Sequence, residues 1–370
     1  MADGSPVALG QADGEGPGNR SGFRFAARLA DSPEIGIIVA VIAAFGIFTA
    51  INPLFGSISE LQNLGVDLAG FGILAVGESF TIITGGIDLS VGSLSALCVV
   101  VAAWLNVTQH VPVLFAFVLT ILLGAAVGLH HAFWITRLGV PPFIITLVTF
   151  IFAAGADEAI AQSPIPISSP TFLAVATSTV GGVPIAVVML IVIAVLAWFF
   201  LERTYLGRQV YAVGGNREAA RLAGIPTDRR IVLAYVVSGS CCGAVGIIVA
   251  SHLTSGTADS VTGYELIAIA SAVIGGVSLI GGQGRIIGVV AGAALLVVLE
   301  QGLVAVNVNA YYQSMVVGFV LFVAVVADRL RVRHRERTGG RGGLEVGRAP
   351  RGGMGGLEGD GEQPLGAHTS

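Results

Sequence analysis

The chain has 370 residues, 54% hydrophobic and only 11% charged, with a mean hydropathy of +0.85. A soluble domain carries about 25% charged residues, so this balance excludes a water-exposed globular protein. All 19 basic residues are arginine, and without lysine the chain cannot build a Walker A loop, whose lysine reaches the β- and γ-phosphates.

Residues 1–32, rich in Gly, Ala and Asp, read as a disordered cytoplasmic tail without the compact apolar region and cleavage site of a signal peptide. The first apolar block, Ile35 to Ile51, would act as an uncleaved anchor. Further spans are expected near 61–84, 89–107, 112–135, 141–161, 183–201, 230–252, 264–281, 285–305 and 311–327. Each approaches the ~20 residues that cross a hydrocarbon core of about 30 Å. The alternating ten-residue pattern of a membrane β-barrel is missing. The fold class is therefore all-α: a polytopic membrane protein with about ten transmembrane helices, some of them broken by glycine. The membrane domain covers 33–329, and 330–370 form an Arg/Gly-rich cytoplasmic tail whose first arginines stop transfer and can meet anionic lipid.

Arginine placement sets the orientation. With both termini inside, Arg20, Arg24, Arg28, Arg137, the arginines from Arg203 to Arg230, Arg285 and those beyond Arg329 all fall on the cytoplasmic side. The outer loops hold none. The three cysteines, Cys98, Cys241 and Cys242, lie inside apolar stretches, with neither a disulfide framework nor metal-ligand spacing.

One cytoplasmic loop, between the sixth and seventh spans, is long and punctuated. It runs from Thr204 to Pro226, and a short helix is expected inside it. Asn216 suits its N-cap, Glu218 its positive end, Gly224 the position after its C-cap, and Pro226 blocks continuation. Arg217 and Arg221 share one face, while Ala219, Ala220, Leu222 and Ala223 give a small apolar one. Such a helix can fill a groove in a soluble partner.

This loop resembles the coupling segment of bacterial ABC importer permeases of the ribose, or simple-sugar, type. Three more segments resemble the same family in order and spacing: Thr84-Gly85-Gly86-Ile87-Asp88-Leu89-Ser90-Val91-Gly92-Ser93; Gly263-Tyr264-Glu265-Leu266 followed by Ile274-Gly275-Gly276 through Gly284-Arg285; and Tyr311-Tyr312-Gln313. The resemblance covers residues 35 to 330. It implies a type II importer-like permease architecture and a transport subunit with no catalytic residues. It also implies partners: a cytoplasmic ATPase that uses the ATP, an extracytoplasmic solute-binding protein and a second permease copy, in the bacterial cytoplasmic membrane. No cofactor, metal or nucleic acid is expected on this chain. ATPase coupling is assigned by this resemblance to Gly207, Arg208, Gly215, Asn216, Glu218, Ala219, Arg221, Leu222 and Gly224.

A translocation pathway is expected near the glycine breaks, with Glu78, Gly85, Gly86, Asp88, Ser90, Gly275, Gly276 and Glu300 as its possible residues. Asp88 suits either a cap for the helix that follows or contact with solute. Glu78, Glu300, His130 and His131 depart from the family pattern, as do Asp157 and Glu158, which leaves the solute open. Adjacent histidines point about 100° apart on a helix and make a poor metal pair. Two other readings remain: an ion-gradient-driven transporter using Glu78, Asp88 and Glu300 as a relay, and an ABC permease for branched-chain amino acids or another non-sugar solute.

Overall fold

A computed structural model describes residues 33–309, 311–323 and 325–326. Its helices are α1 (Pro33–Ile51), α2 (Ile58–Ile83), α3 (Val91–Ala103), α4 (Val113–Arg137), α5 (Pro142–Ile160), α6 (Pro170–Thr177), α7 (Ile185–Trp198), α8 (Tyr205–Gly215), α9 (Arg217–Leu222), α10 (Thr227–His252), α11 (Tyr264–Ile274), α12 (Ile286–Ala305) and α13 (Tyr311–Val323). Wider π-type turns extend α3 through Trp104–Thr108 and α7 through Phe199–Arg203. Among the described residues, strands are confined to two-residue pairs, β1 (Ile165–Pro166) with β4 (Ser255–Gly256) and β2 (Thr179–Val180) with β3 (Val183–Pro184). The expected tails, 1–32 and 330–370, lie outside the described residues.

Eight helices among the described residues are long and apolar enough to cross a membrane, counting α3 and α7 with their extensions. The expected span 264–281 is shorter than its hydropathy suggested. Its helix ends at Ile274, and Gly275 to Arg285 run as a non-helical segment. Glycine at 276, 281, 282 and 284 takes positive φ there, which ends the helix although the sequence stays apolar. α13 is likewise short within the described residues.

Helices α2, α3 and α10 form the centre, each with most of its apolar window buried inside the bundle. Helices α4, α5 and α7 surround them on one flank, and α11, α12 and α1 on another. Small residues let the backbones meet. Gly124 and Gly128 of α4 face Gly239 and Gly243 of α10, and a Cβ at Gly124 would collide with the Gly239 carbonyl oxygen. These are two small-xxx-small stripes pressed together, the usual close crossing of membrane helices. Gly288 and Gly292 of α12 do the same against Gly275 and Ser271.

The ends of the bundle form two distinct faces. On one, Arg285 pairs with Glu34 at 3.2 Å and the Tyr211 hydroxyl donates to the Gly284 carbonyl at 2.9 Å. On the other, Asn52 donates to the Ala305 carbonyl at 2.9 Å, Gln62 to that of Gly182 at 3.1 Å, and β1 meets β4. The 204–226 loop and every arginine from Arg137 to Arg285 belong to the first face.

Candidate functional site

The long loop folds into two short helices, α8 and α9. Thr204 caps α8 by accepting the Gly207 amide at 3.0 Å. Asn216 then caps α9, its Oδ1 accepting the Ala219 amide at 2.9 Å. Gly224 follows the helix at φ +80°, a left-handed value that closes a C-terminus without Cβ strain. Pro226 leads into α10. The capping pattern read from the sequence is the one the structure contains.

The faces of α9 divide by burial. Ala220 packs among Ala132, Ile135, Val213, Ile231 and Tyr235. Leu222 projects outward, 85% exposed, among the exposed Ala219, Ala223 and Gly224. Beside it a groove of about 870 Å³ runs to the end of α4, with Arg137, Arg217, Arg221 and Arg229 alongside Glu218 and Asp228. Arg217 and Asp228 pair at 3.1 Å in full view of solvent. Arg208 stands over the Tyr205 ring. Gly207 is buried against the Phe200 and Leu201 carbonyls, so its place in the loop is a packing one. Gly215 faces open space.

The loop rests directly on both glycine breaks. Gly214 leaves no room for a Cβ, which would strike the Ile83 carbonyl oxygen at the end of α2. Gly282 donates its amide to that same oxygen at 2.9 Å. A Cβ at Gly281 would come within 3.1 Å of Gly85 and 2.9 Å of the Gly214 carbonyl oxygen. The two breaks therefore meet each other and Gly214 of the loop through close backbone contacts. Tyr211 adds a hydroxyl bond to the Gly284 carbonyl, and burial, with Glu202 nearby, pushes its phenol up to about 12. Gly214 and Tyr211 were not singled out in the sequence. The paired glycines at 214 and 215 were their available signal.

Above this junction lies a buried polar group centred on Asp88. Its Oδ1 accepts the Ser90 amide and hydroxyl, its Oδ2 accepts the Ser238 hydroxyl at 3.2 Å, and its amide donates to Glu78 Oε1 at 3.1 Å. His131 places Nδ1 3.7 Å from Asp88 Oδ2, and its Nε2 meets the Thr149 hydroxyl at 2.8 Å. Glu78, Asp88, Ser90 and His131 are fully buried. Asp88 thus makes a turn at the start of α3 by holding Ser90, while tying α2, α4 and α10 together. Gly85 and Gly86 lie in the turn just before it, and Gly86 packs on the Tyr235 ring.

The other expected pathway residues separate. Gly275 packs on Gly288, and Gly276 turns the second break. Glu300 stands apart from Glu78 and Asp88, in the electrostatic neighbourhood of Asp67, whose carboxylate is bonded by Gln301 at 2.8 Å. Glu78, Asp88 and Glu300 therefore do not form one contiguous relay. His130 turns away from His131 to accept the Trp134 indole N–H at 2.8 Å. Asp157, at the other end of the bundle, accepts the Asp259 amide at 3.4 Å.

Residues 61–325 match the family model described as branched-chain amino acid transport system / permease component. The chain belongs to this permease family. It is 34% identical to the ribose import permease protein of Haemophilus influenzae, over 78% of this chain and 91% of that one. It is 35% identical to the D-allose transport system permease protein of Escherichia coli K12, over 79% and 90%. An inner membrane ABC transporter permease protein of the same strain is 35% identical, over 75% and 86%. No solved structure matches. The permease is therefore a multi-pass transport subunit of an ABC importer and not an enzyme. Permeases of this kind work with a separate ATPase subunit and a substrate-binding protein.

Proposed function

We propose that this permease imports a monosaccharide across the bacterial inner membrane, driven by ATP hydrolysed on a separate chain. The observation that carries the reading is the exposed, doubly capped helix α9, joined at Asn216 to α8, whose Gly214 sits on the junction of the two glycine breaks. An ATPase that grips Leu222 and the Arg217–Glu218–Arg221 face moves α9. The movement passes through backbone contacts at Ile83, Gly281 and Gly282 to both breaks. No flexible side chain stands in that path, so displacement is transmitted with little loss. Gly207, Arg208 and Gly215 shape or flank the same element, and Asn216, Ala219 and Gly224 hold its ends.

In this reading both termini lie in the cytoplasm, which the arginine-lined loop face supports. The chain works as one of two permease copies, binds no cofactor of its own, and receives solute from an extracytoplasmic binding protein. The solute class rests on the relatives named for ribose and D-allose import. Asp88 and Ser90 organise the inner break, with Glu78 beside them, and the solute passes near Gly85, Gly86, Gly275 and Gly276 as that break moves.

The test is reconstitution of the permease in proteoliposomes with its ATPase and binding protein. Uptake of D-ribose, D-allose and branched-chain amino acids is followed with and without ATP. ATP-dependent sugar uptake is expected. Uptake driven by an ion gradient with no ATPase present would contradict the proposal.

A further inference from the structure

Far from the loop, at the opposite end of α2 and α10, a second polar site takes shape. A cavity of about 110 Å³ opens there, lined by Asp67, His252, Ser260 and Tyr264 over an apolar floor that includes Val66 and Ile248. Asp67 Oδ2 accepts a 2.8 Å bond from Gln301, and no other hydrogen bond to that carboxylate occurs among the described residues. The Ser260 hydroxyl is buried and has no hydrogen-bond partner there. Glu300, the neighbouring carboxylate, also keeps a buried, unbonded Oε2. The Tyr264 ring stands edge-on to Phe71 at 4.4 Å.

An unbonded buried hydroxyl and carboxylate are costly unless something completes their bonding. The wall chemistry states what that is. No arginine lines the cavity, and its one histidine, His252, shares the wall with the Asp67 carboxylate, which disfavours an anion. Among the described residues no group of three or more acids, histidines or cysteines is placed to hold a metal ion. Carboxylate and hydroxyl acceptors beside an aromatic face match a neutral molecule that offers several hydroxyl donors and a C–H surface. The volume equals three or four waters at about 30 Å³ each, enough for one edge of a sugar ring and not the whole.

We propose that this cavity is the entry subsite of the permease. There an incoming neutral polyhydroxylated solute presents one hydroxylated edge to Asp67 and Ser260, with Tyr264 alongside. The inference rests on the import reading above and deepens it. Glu300, far from the Asp88 group, belongs to this outer site. A solute hydroxyl there supplies the hydrogen bond that the Ser260 hydroxyl does not find among the described residues.

The experiment uses the complete importer, with binding protein and ATPase, in proteoliposomes carrying wild type, Asp67→Asn or Ser260→Ala. Asp67→Asn keeps shape and a partner for Gln301. Ser260→Ala removes a hydroxyl that has no hydrogen-bond partner among the described residues, so it guards against misfolding of the first variant. D-ribose and D-allose are the probes. The expected result is a rise of fivefold or more in apparent KM, and an altered preference between the sugars, with ATP hydrolysis in the absence of sugar unchanged. Unchanged KM and preference in both assembled variants would overturn the subsite while leaving the import reading standing. A wild type that carries neither sugar with ATP overturns both. Uptake that instead depends on added sodium or calcium, and loses that dependence in Asp67→Asn, makes the cavity a cation site and also overturns the subsite.

Discussion

The Gly282 amide donates to the Ile83 carbonyl oxygen at 2.9 Å, joining the second glycine break to the end of the helix that precedes the first. Gly214 of the loop closes on the same oxygen. Three segments remote in sequence thus meet at one carbonyl, Gly282 by a hydrogen bond and Gly214 by backbone packing, so a shift of the loop reaches both breaks.

Gly214 and Gly215 should consequently differ in their response to the same change. A Cβ at Gly214 meets backbone that cannot give way, whereas at Gly215 it meets open space. Gly214→Ala is expected to destabilise by ~1–3 kcal/mol, the usual range for overpacking. Gly215→Ala should leave thermal unfolding in detergent unchanged. Equal unfolding temperatures for the two variants would refute the packed junction.

Leu222 supplies a cleaner test of partner docking, because its exposure means the fold does not use it. Leu222→Asp should reach the membrane at wild-type levels. It should lose ATPase association and at least tenfold of ATP-driven uptake, as expected when an interface anchor worth ~2 kcal/mol is removed. Full uptake by this variant would remove α9 from the docking surface.

Asn216→Ala deletes the bond to the Ala219 amide. A lost N-cap costs ~1 kcal/mol. Uptake should fall a fewfold and recover in Asn216→Asp, which still offers an oxygen to the amide. Loss in both variants alike would point to a role for the amide itself.

The Asp88 group predicts an asymmetry between its neighbours. Glu78→Gln keeps an oxygen for the Asp88 amide and should be tolerated. His131→Ala empties a fully buried position beside Asp88 and removes one of the two partners of the Thr149 hydroxyl, which also donates to the Ile145 carbonyl. The cavity left by a buried ring and the lost hydrogen bond together cost ~2–5 kcal/mol, so this variant should express poorly and unfold early. Wild-type stability of His131→Ala would show that the imidazole does not serve Asp88.

What could be read from the sequence follows the range of the interactions involved. The α9 caps were legible because Asn216, Gly224 and Pro226 act on backbone within a few residues of themselves. The glycine breaks were legible because Gly85-Gly86 and Gly275-Gly276 interrupt apolar runs. The span near 264–281 misled because hydropathy continues unbroken through Ile280, while the helix ends where glycine takes positive φ. The convergence of Glu78 and His131 on Asp88 was not legible, since each lies on a different helix and only packing brings them together. Glu300 looked like a companion of Glu78 because both are carboxylates in apolar runs. The bundle instead sets it beside Asp67, itself an overlooked carboxylate in such a run.

The most direct test of the central claim uses Leu222→Cys, since the native Cys98, Cys241 and Cys242 are buried and should stay silent to a membrane-impermeant maleimide. The account predicts labelling in inverted vesicles only, and protection when the ATPase subunit is bound. Labelling from the outer surface of right-side-out cells, or labelling that ignores the bound ATPase, would contradict it.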